Sequence, residues 1–152
     1  MVGVFAFPAL LPEFARLWAL DKTQAGWIAG VYFIAYALAA PVVVSLTDRV
    51  DARRVYLGGA LTAAMASLGY ALLAGGFWSA LAFRALAGAG LAATYMPGLR
   101  VVVDRYGGPT PSRAVACYTA SFSLGTAGSF LLAGLIAEAH GWRAAFAEVF
   151  FF

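Results

Sequence analysis

The sequence predicts an all-α fold, a polytopic bundle of transmembrane helices, and three observations lead to it. Of the 152 residues, 63% are hydrophobic and only 11% are charged, whereas a soluble domain has about 45–50% apolar and about 25% charged residues. The charges are confined to short joints between long apolar runs. Several runs have the length of about 20 residues that a helix needs to cross a bilayer. We therefore expect residues 1–152 to form a single transmembrane domain.

Four helices are predicted to cross the bilayer completely. The uncharged stretches 23–47 and 114–137 each have the length of one crossing. The stretch from 55 to 99, in which Arg84 is the single charge, is too long for one crossing. A Gly-Gly pair is a turn signal, so this stretch is divided at Gly75-Gly76. The predicted helices are 23–47, 55–75, 77–99 and 114–137.

The two ends of the chain are apolar but too short to cross. At a rise of 1.5 Å per residue, the twelve residues 1–12 would span only about 18 Å as a helix, and residues 144–152 would span less. We expect both to be partial helices of a longer protein, because both ends fall short in the same way. The alternative is that they are re-entrant segments.

The distribution of arginine predicts the orientation. Basic residues favour the cytoplasmic side of a membrane, which places joints 48–54 and 100–113 inside and joints 13–22, 74–77 and 138–143 outside. The basic residues of the two inner joints are Arg49, Arg53, Arg54, Arg100, Arg105 and Arg113. All four tryptophans lie in or beside the outer joints, at the interface that tryptophan prefers.

Several functional classes are excluded by what the sequence lacks. The net charge of +3 comes without a basic stripe interleaved with aromatic residues, so nucleic acid is not an expected partner. A lone Cys117 and a lone His140 give no disulfide framework and no set of metal ligands. Neither a cofactor nor an enzymatic activity is predicted, since no nucleophile elbow, zinc-binding helix or phosphate-binding loop occurs. Any coupling would then come from an ion gradient or the substrate's own gradient.

Small residues recur at helical spacing along the predicted helices. Such residues let helix backbones approach closely in lipid. We predict helix packing at Gly26, Gly30, Gly88, Gly90, Gly125 and Gly134.

The joint after helix 23–47 carries the first family resemblance. It reads Leu46-Thr-Asp48-Arg49-Val-Asp-Ala-Arg53-Arg54. This resembles GxLxDRxGRR, the signature loop between helices 2 and 3 of the major facilitator superfamily, in its Leu, its Asp-Arg pair and its last Arg. It departs from that pattern at Val44, Asp51 and Ala52.

Two further segments resemble the same family. Arg84-Ala-Leu-Ala-Gly88-Ala-Gly90 is similar to the RxxxGxG motif of helix 4, and the segment from Gly134 to Phe146 is similar to the bridge from helix 5 to helix 6. The order and spacing of the pieces also fit. The resemblance therefore covers the chain from late helix 1 to early helix 6.

This resemblance implies the amino-terminal half of a transporter, truncated at both ends. The parent would have about twelve helices in two six-helix bundles around a central cavity. It would move a small molecule by alternating access, with a proton or another ion as a coupling partner. The further expected partners are membrane lipid and the missing carboxy-terminal half. We expect a multi-pass protein of a bacterial inner (plasma) membrane.

The sequence leaves alternatives open for the direction of transport and for the class of function. Proton-coupled drug exporters of the family carry GxxxGPxxGG in helix 5, and Gly125 to Gly134 keep the small residues but have Phe130 in place of Pro. Efflux is thus one expectation, and the substrate stays open. A non-transporting scaffold or assembly subunit is the main alternative. An intramembrane enzyme would need a nucleophile paired with His or two intramembrane Asp residues, which the sequence does not show.

Arg84 is the sharpest candidate for a site residue. It lies about seven residues into helix 77–99, roughly 10 Å from the outer end, where a charge is costly and normally faces a cavity or a partner. We expect it to act on a substrate anion or in a proton relay. The alternative is an arginine that snorkels to the outer surface. Tyr32 and Tyr36 share one face of helix 23–47 and either line the cavity or simply pack.

The resemblance also implies a charge network that latches the cytoplasmic side. We expect Asp48 and Arg53 to share this network with Arg100 or Asp104. Arg49 and Arg54 belong to the same gating loop. The alternative is that these residues are solvated charges that only set the topology.

Overall fold

The computed structural model describes residues 6–105 and 111–148, and within these ranges the regular structure is entirely helical. This confirms the predicted all-α fold class. The helices in chain order are α1 (Ala6–Ala9), α2 (Leu11–Leu17), α3 (Lys22–Leu46), α4 (Ala52–Leu73), α5 (Phe77–Arg105), α6 (Pro111–His140) and α7 (Trp142–Glu148).

Helices α3, α4, α5 and α6 are long and apolar enough to cross a membrane. In the most apolar stretch of each, only 11% to 33% of the residues are buried inside the chain. The remaining apolar surface would be costly in water, where burial of such surface is the main stabilising term. These helices therefore need lipid or further helices around them.

Polar caps and one glycine fix the helix ends. The Asp21 carboxylate accepts a hydrogen bond from the Lys22 N–H at 2.7 Å, and the Gln24 side chain accepts one from the Asp21 N–H at 3.2 Å. This is a capping box for α3. The Asp51 carboxylate caps α4 by accepting one hydrogen bond from the Arg53 backbone N–H at 2.8 Å. Gly141 ends α6 at a φ of 81°, which glycine adopts without steric cost.

Helices α5 and α6 are longer than the predicted 77–99 and 114–137. The prediction ended each helix where charges begin, but arginine is a good helix former. Charge therefore ends the apolar span without ending the helix, and α5 continues past Arg100 to Arg105. Pro111 stands at the first position of α6, where its missing N–H is not needed.

The two ends of the chain also differ from the predicted segments 1–12 and 144–152. Two short helices, α1 and α2, replace a single partial helix at the beginning, and α2 occupies part of the predicted joint 13–22. Pro12 lies in the first turn of α2, and its missing N–H favours a helix start there. Helix α7 begins two residues before 144. Residues 1–5 and 149–152 lie outside the described part of the chain.

Helix α5 packs between α3 and α4 with very close backbones. A Cβ atom at Gly88 of α5 would overlap the backbone carbonyl of Tyr32 in α3. On the other side, a Cβ at Gly90 would lie 2.8 Å from the Ala63 nitrogen, and one at Gly59 of α4 would lie 2.5 Å from the Ala93 Cβ. The packing predicted for Gly88 and Gly90 thus involves α3 and α4 respectively. The residue pairing makes α5 parallel to α3 and antiparallel to α4.

The other glycines predicted to pack have a different environment. Within the described residues, a Cβ added at Gly26, Gly30 or Gly134 would meet no atom within 4 Å. A packing role for these three, and for Gly125 of α6, stays a prediction. For the first three it would require a surface beyond the described helices.

A cluster that we call the aromatic core joins the short helices to α4. It consists of Phe7, Phe14, Trp18, Tyr70, Trp142 and Phe146. The Tyr70 and Phe146 rings stack with centroids 4.2 Å apart, and the Phe14 and Trp18 rings stack at 4.8 Å. Such pairs add about 0.5–1.5 kcal/mol beyond the area they bury. The aromatic core therefore fastens α1, α2 and α7 to the bundle.

Candidate functional site

Arg84 of α5 lies inside the bundle and is only 2% exposed. Its guanidinium carbon is 4.4 Å from the centroid of the Tyr32 ring and 5.5 Å from that of the Phe7 ring. A cation over an aromatic face at this distance is stabilised by the ring quadrupole. The structure does not show the snorkelling alternative, because the guanidinium is covered by side chains from α1 and α3.

Tyr70 of α4 belongs to the same neighbourhood. It is 1% exposed, and among the described residues its hydroxyl has no hydrogen-bond partner. Its ring meets the Phe7 ring edge to face, with centroids 6.5 Å apart, and Phe7 in turn covers Arg84. The sequence from 52 to 103 contains no Asp or Glu, so α4 and the spanning part of α5 bring no carboxylate to this charge. Among the described residues, aromatic rings are a large part of its environment.

Sequence reasoning missed both Phe7 and Tyr70 as neighbours of Arg84. Phe7 lies in a segment whose sequence indicates only a truncated helix. Tyr70 places a hydroxyl group in the middle of an apolar helix. Because a buried tyrosine hydroxyl usually has a polar partner, this residue type could have indicated a polar site there. The rotation of α4 that points it toward Arg84 could not be read from the sequence.

A second group of rings, which we call the aromatic patch, lies beside Tyr32 on α3, α5 and α6. Its members, all half-buried, are Tyr36, Tyr95, Tyr118 and Phe122. The Tyr95 ring centroid is 5.0 Å from that of Phe122 and 5.6 Å from that of Tyr118. The Tyr118 hydroxyl donates to the Tyr95 carbonyl at 3.1 Å. Tyr32 and Tyr36, the two predicted tyrosines, thus differ: Tyr32 is buried and Tyr36 is partly open.

Arg100 is the centre of the charges at the opposite end of α5. Its Nη1 donates to the Asp48 carboxylate at 2.7 Å and to the Thr47 hydroxyl at 2.9 Å. Its Nε lies 4.0 Å from the Asp104 carboxylate, one helical turn along. The structure therefore brings Asp48, Arg100 and Asp104 together. Thr47 was not predicted, although its place beside Asp48 in the loop was visible.

An open groove of about 600 Å³ runs along this charged end. Its lining comes from the α3–α4 turn and the end of α5: Thr47, Val50, Asp51, Ala52, Arg53, Arg100, Val101, Asp104 and Arg105. Arg53 lines the groove, but within residues 6–105 and 111–148 the ion pairs here are those of Arg100. Arg49 and Arg54 are exposed, and the gating role predicted for them stays a prediction.

Four helices that are long and apolar enough to cross a membrane, one of which carries a buried arginine, are typical of a multi-pass integral membrane protein. The family model of the Major Facilitator Superfamily matches residues 1–150. The chain therefore belongs to the Major Facilitator Superfamily, which is a family of transporters and not of enzymes. This confirms the resemblance found in the sequence.

One curated relative is similar to nearly the whole of this chain. The niacin transporter NiaP of Acinetobacter baylyi is 26% identical over 144 residues, which are 95% of this chain and 32% of that protein. The chain thus spans about a third of the length of the relative that it matches.

Proposed function

We propose that this chain is part of a secondary transporter that moves a small organic anion across the membrane by alternating access. The observation that carries the proposal is the guanidinium of Arg84, 2% exposed in the interior of a transporter bundle. Charges in this position are expensive and mark substrate or ion pathways. An anion is the substrate class that such a charge would favour.

Arg84 acts through its electrostatic field in the described conformation. The Tyr32 and Phe7 rings cover the guanidinium, so direct contact with a substrate requires at least one ring to move aside. The field needs no contact, because two unit charges about 8 Å apart, with a ring between them, still interact by about 2 kcal/mol at an effective dielectric constant of 20. A positive charge in the pathway favours an anion over a cation.

Niacin is the first substrate to test. The relative NiaP is by name a niacin transporter, and niacin combines a carboxylate with a flat ring. An arginine beside aromatic side chains complements both parts. Neither the family match nor this relative supports the predicted efflux, so the proposal names no direction. The proposal also includes a proton or another coupling ion, a carboxy-terminal helical half that completes the transporter, and a location in a bacterial inner membrane.

The contact between Asp48 and Arg100 is proposed as a latch on the cytoplasmic side. It joins the α3–α4 turn to the end of α5, and the two side chains are 67% and 43% exposed. An exposed ion pair contributes only about 0–1 kcal/mol, so the contact can be broken and re-formed at low cost. Alternating access requires contacts of this reversible kind.

The test is uptake of radiolabelled niacin by the complete protein in proteoliposomes. We expect Arg84→Gln to lower the rate about 30-fold, because loss of about 2 kcal/mol of charge interaction corresponds to a factor of that size. Arg84→Lys keeps the charge and should retain part of the activity. Arg16→Gln, at an exposed position on α2, is the matched control and should transport normally.

Two results would count against the proposal. Near-normal uptake by a folded Arg84→Gln variant would remove Arg84 from the pathway. Absence of uptake of niacin and of other small organic acids by the unmodified protein would reject the substrate class.

A further inference from the structure

We propose that the aromatic patch (Tyr36, Tyr95, Tyr118 and Phe122) is a stacking site for the flat ring of the transported acid. This inference rests on the proposed function and deepens it, since it assigns the residues that would distinguish an aromatic acid from an aliphatic one. The argument has three steps: the geometry of the rings, their position on the bundle and their connection to Arg84.

Three of the rings are held in a fixed mutual arrangement by α5 and α6, and Tyr36 of α3 packs against the same cluster of residues. Tyr95 and Phe122 meet edge to face, with an interplanar angle of 63°, and Tyr118 is tied to the Tyr95 carbonyl by its hydroxyl. A ring fixed in this way loses little conformational freedom when a ligand stacks on it. Tyr118 is therefore a positioning residue, and the surface offered to a ligand belongs mainly to Tyr36, Tyr95 and Phe122.

The position of the patch differs from that of a lipid-facing surface. Leu124, Leu131 and Leu135 of α6 are 64% to 74% exposed, as expected for side chains in contact with lipid. Tyr118 and Phe122 of the same helix are less exposed, being half-buried, and their rings contact Tyr95 of α5. The patch thus lies at the margin between the packed interior and the open surface, where part of each ring stays accessible.

Tyr32 connects the patch to Arg84. Its ring covers the guanidinium, and it also packs in one cluster with Leu91, Tyr36, Tyr95 and Phe122. A positive charge and a set of accessible rings are therefore neighbours separated by a single side chain. A small acid with its carboxylate attached to a flat ring has the same two parts side by side.

The experiment compares two competitors of niacin uptake by the complete protein in proteoliposomes. Benzoate and cyclohexanecarboxylate have the same charge and similar size, but only benzoate has a flat aromatic ring. We expect benzoate to compete better with the unmodified protein. Phe122→Leu and Tyr95→Leu should each weaken competition by benzoate roughly 3- to 10-fold, the usual contribution of an aromatic pair, and leave cyclohexanecarboxylate unchanged.

Two further variants separate stacking from general damage. Tyr95→Phe keeps the ring and should retain the preference for benzoate. Phe130→Leu removes an exposed ring of α6 that is outside the patch, and it should also retain it.

The outcomes distinguish this inference from the proposed function. If the unmodified protein takes up niacin but does not prefer benzoate over cyclohexanecarboxylate, the stacking site is wrong while the transport function stands. The same follows if folded Phe122→Leu and Tyr95→Leu variants keep the full preference. If the unmodified protein takes up no small organic acid, both the function and the stacking site are rejected.

Discussion

The two ends of α5 hold an arginine in opposite ways. Arg84 is 2% exposed and is covered by aromatic rings, whereas the side chain of Arg100 is 43% exposed and pairs with the Asp48 carboxylate at 2.7 Å. A buried charge acts in a low dielectric and is hardly screened, while an exposed pair contributes about 0–1 kcal/mol. The comparison shows two environments for the same side chain: packing holds Arg84, whereas the Asp48–Arg100 contact, proposed above as a latch, would cost little to break.

The largest loss of stability is expected at Gly88, which lets α3 approach Arg84. Gly88→Ala would place a methyl group against the Tyr32 carbonyl, and a backbone atom cannot turn away as a side chain can. We expect a loss of about 1–3 kcal/mol, as for other overpacked sites, and a matching fall in the thermal unfolding temperature in detergent.

Gly58→Ala is the matched control for this prediction. Its added Cβ would meet no atom within 4 Å in the described structure, so the unfolding temperature should not fall. Equal stability of the two variants would show that α3 and α5 are not in the close contact described above.

An intermediate effect is expected when the charges of the Asp48–Arg100 pair are reversed. Asp48→Arg alone should slow transport by about tenfold, which corresponds to about 1.4 kcal/mol, because it places two positive groups at the proposed latch. The double variant Asp48→Arg with Arg100→Asp restores an opposite pair and should recover most of the rate.

The control for the reversal is Arg16→Asp, which changes an exposed charge on α2 and should leave the rate unchanged. If the double variant is as slow as the single one, the pair does not act as a latch.

The smallest effect is expected at Thr47, which accepts only the second hydrogen bond of Arg100, at 2.9 Å. Thr47→Val keeps the ion pair with Asp48. The free energy of unfolding should fall by about 0.5–1.5 kcal/mol, the usual contribution of one hydrogen bond, and transport should stay within about twofold. If Thr47→Val slowed transport as much as Asp48→Arg does, the Thr47 hydroxyl and not the charge pair would be the main contact of Arg100.

The all-α fold could be predicted from the sequence because apolar run length sets it directly. The depth of Arg84 followed from helical rise, but its environment did not. Phe7 and Tyr70 come from other helices, and the rotation of each helix about its axis depends on packing that no single segment encodes. Gly26 and Gly88 illustrate the same limit, because similar local patterns lead to open space at one and to backbone contact at the other.

The close backbone contacts of α3, α4 and α5 have a mechanical consequence. Helices that touch without intervening side chains cannot slide past each other freely, so the closely packed part of the three should move as one stiff body. The close contacts lie along α5 from Gly88 to Ala93, and Arg100 is about 10 Å beyond them at helical rise. Opening of the Asp48–Arg100 pair would then leave the surroundings of Arg84 packed, and the pivot of any larger tilt must lie outside the stiff part.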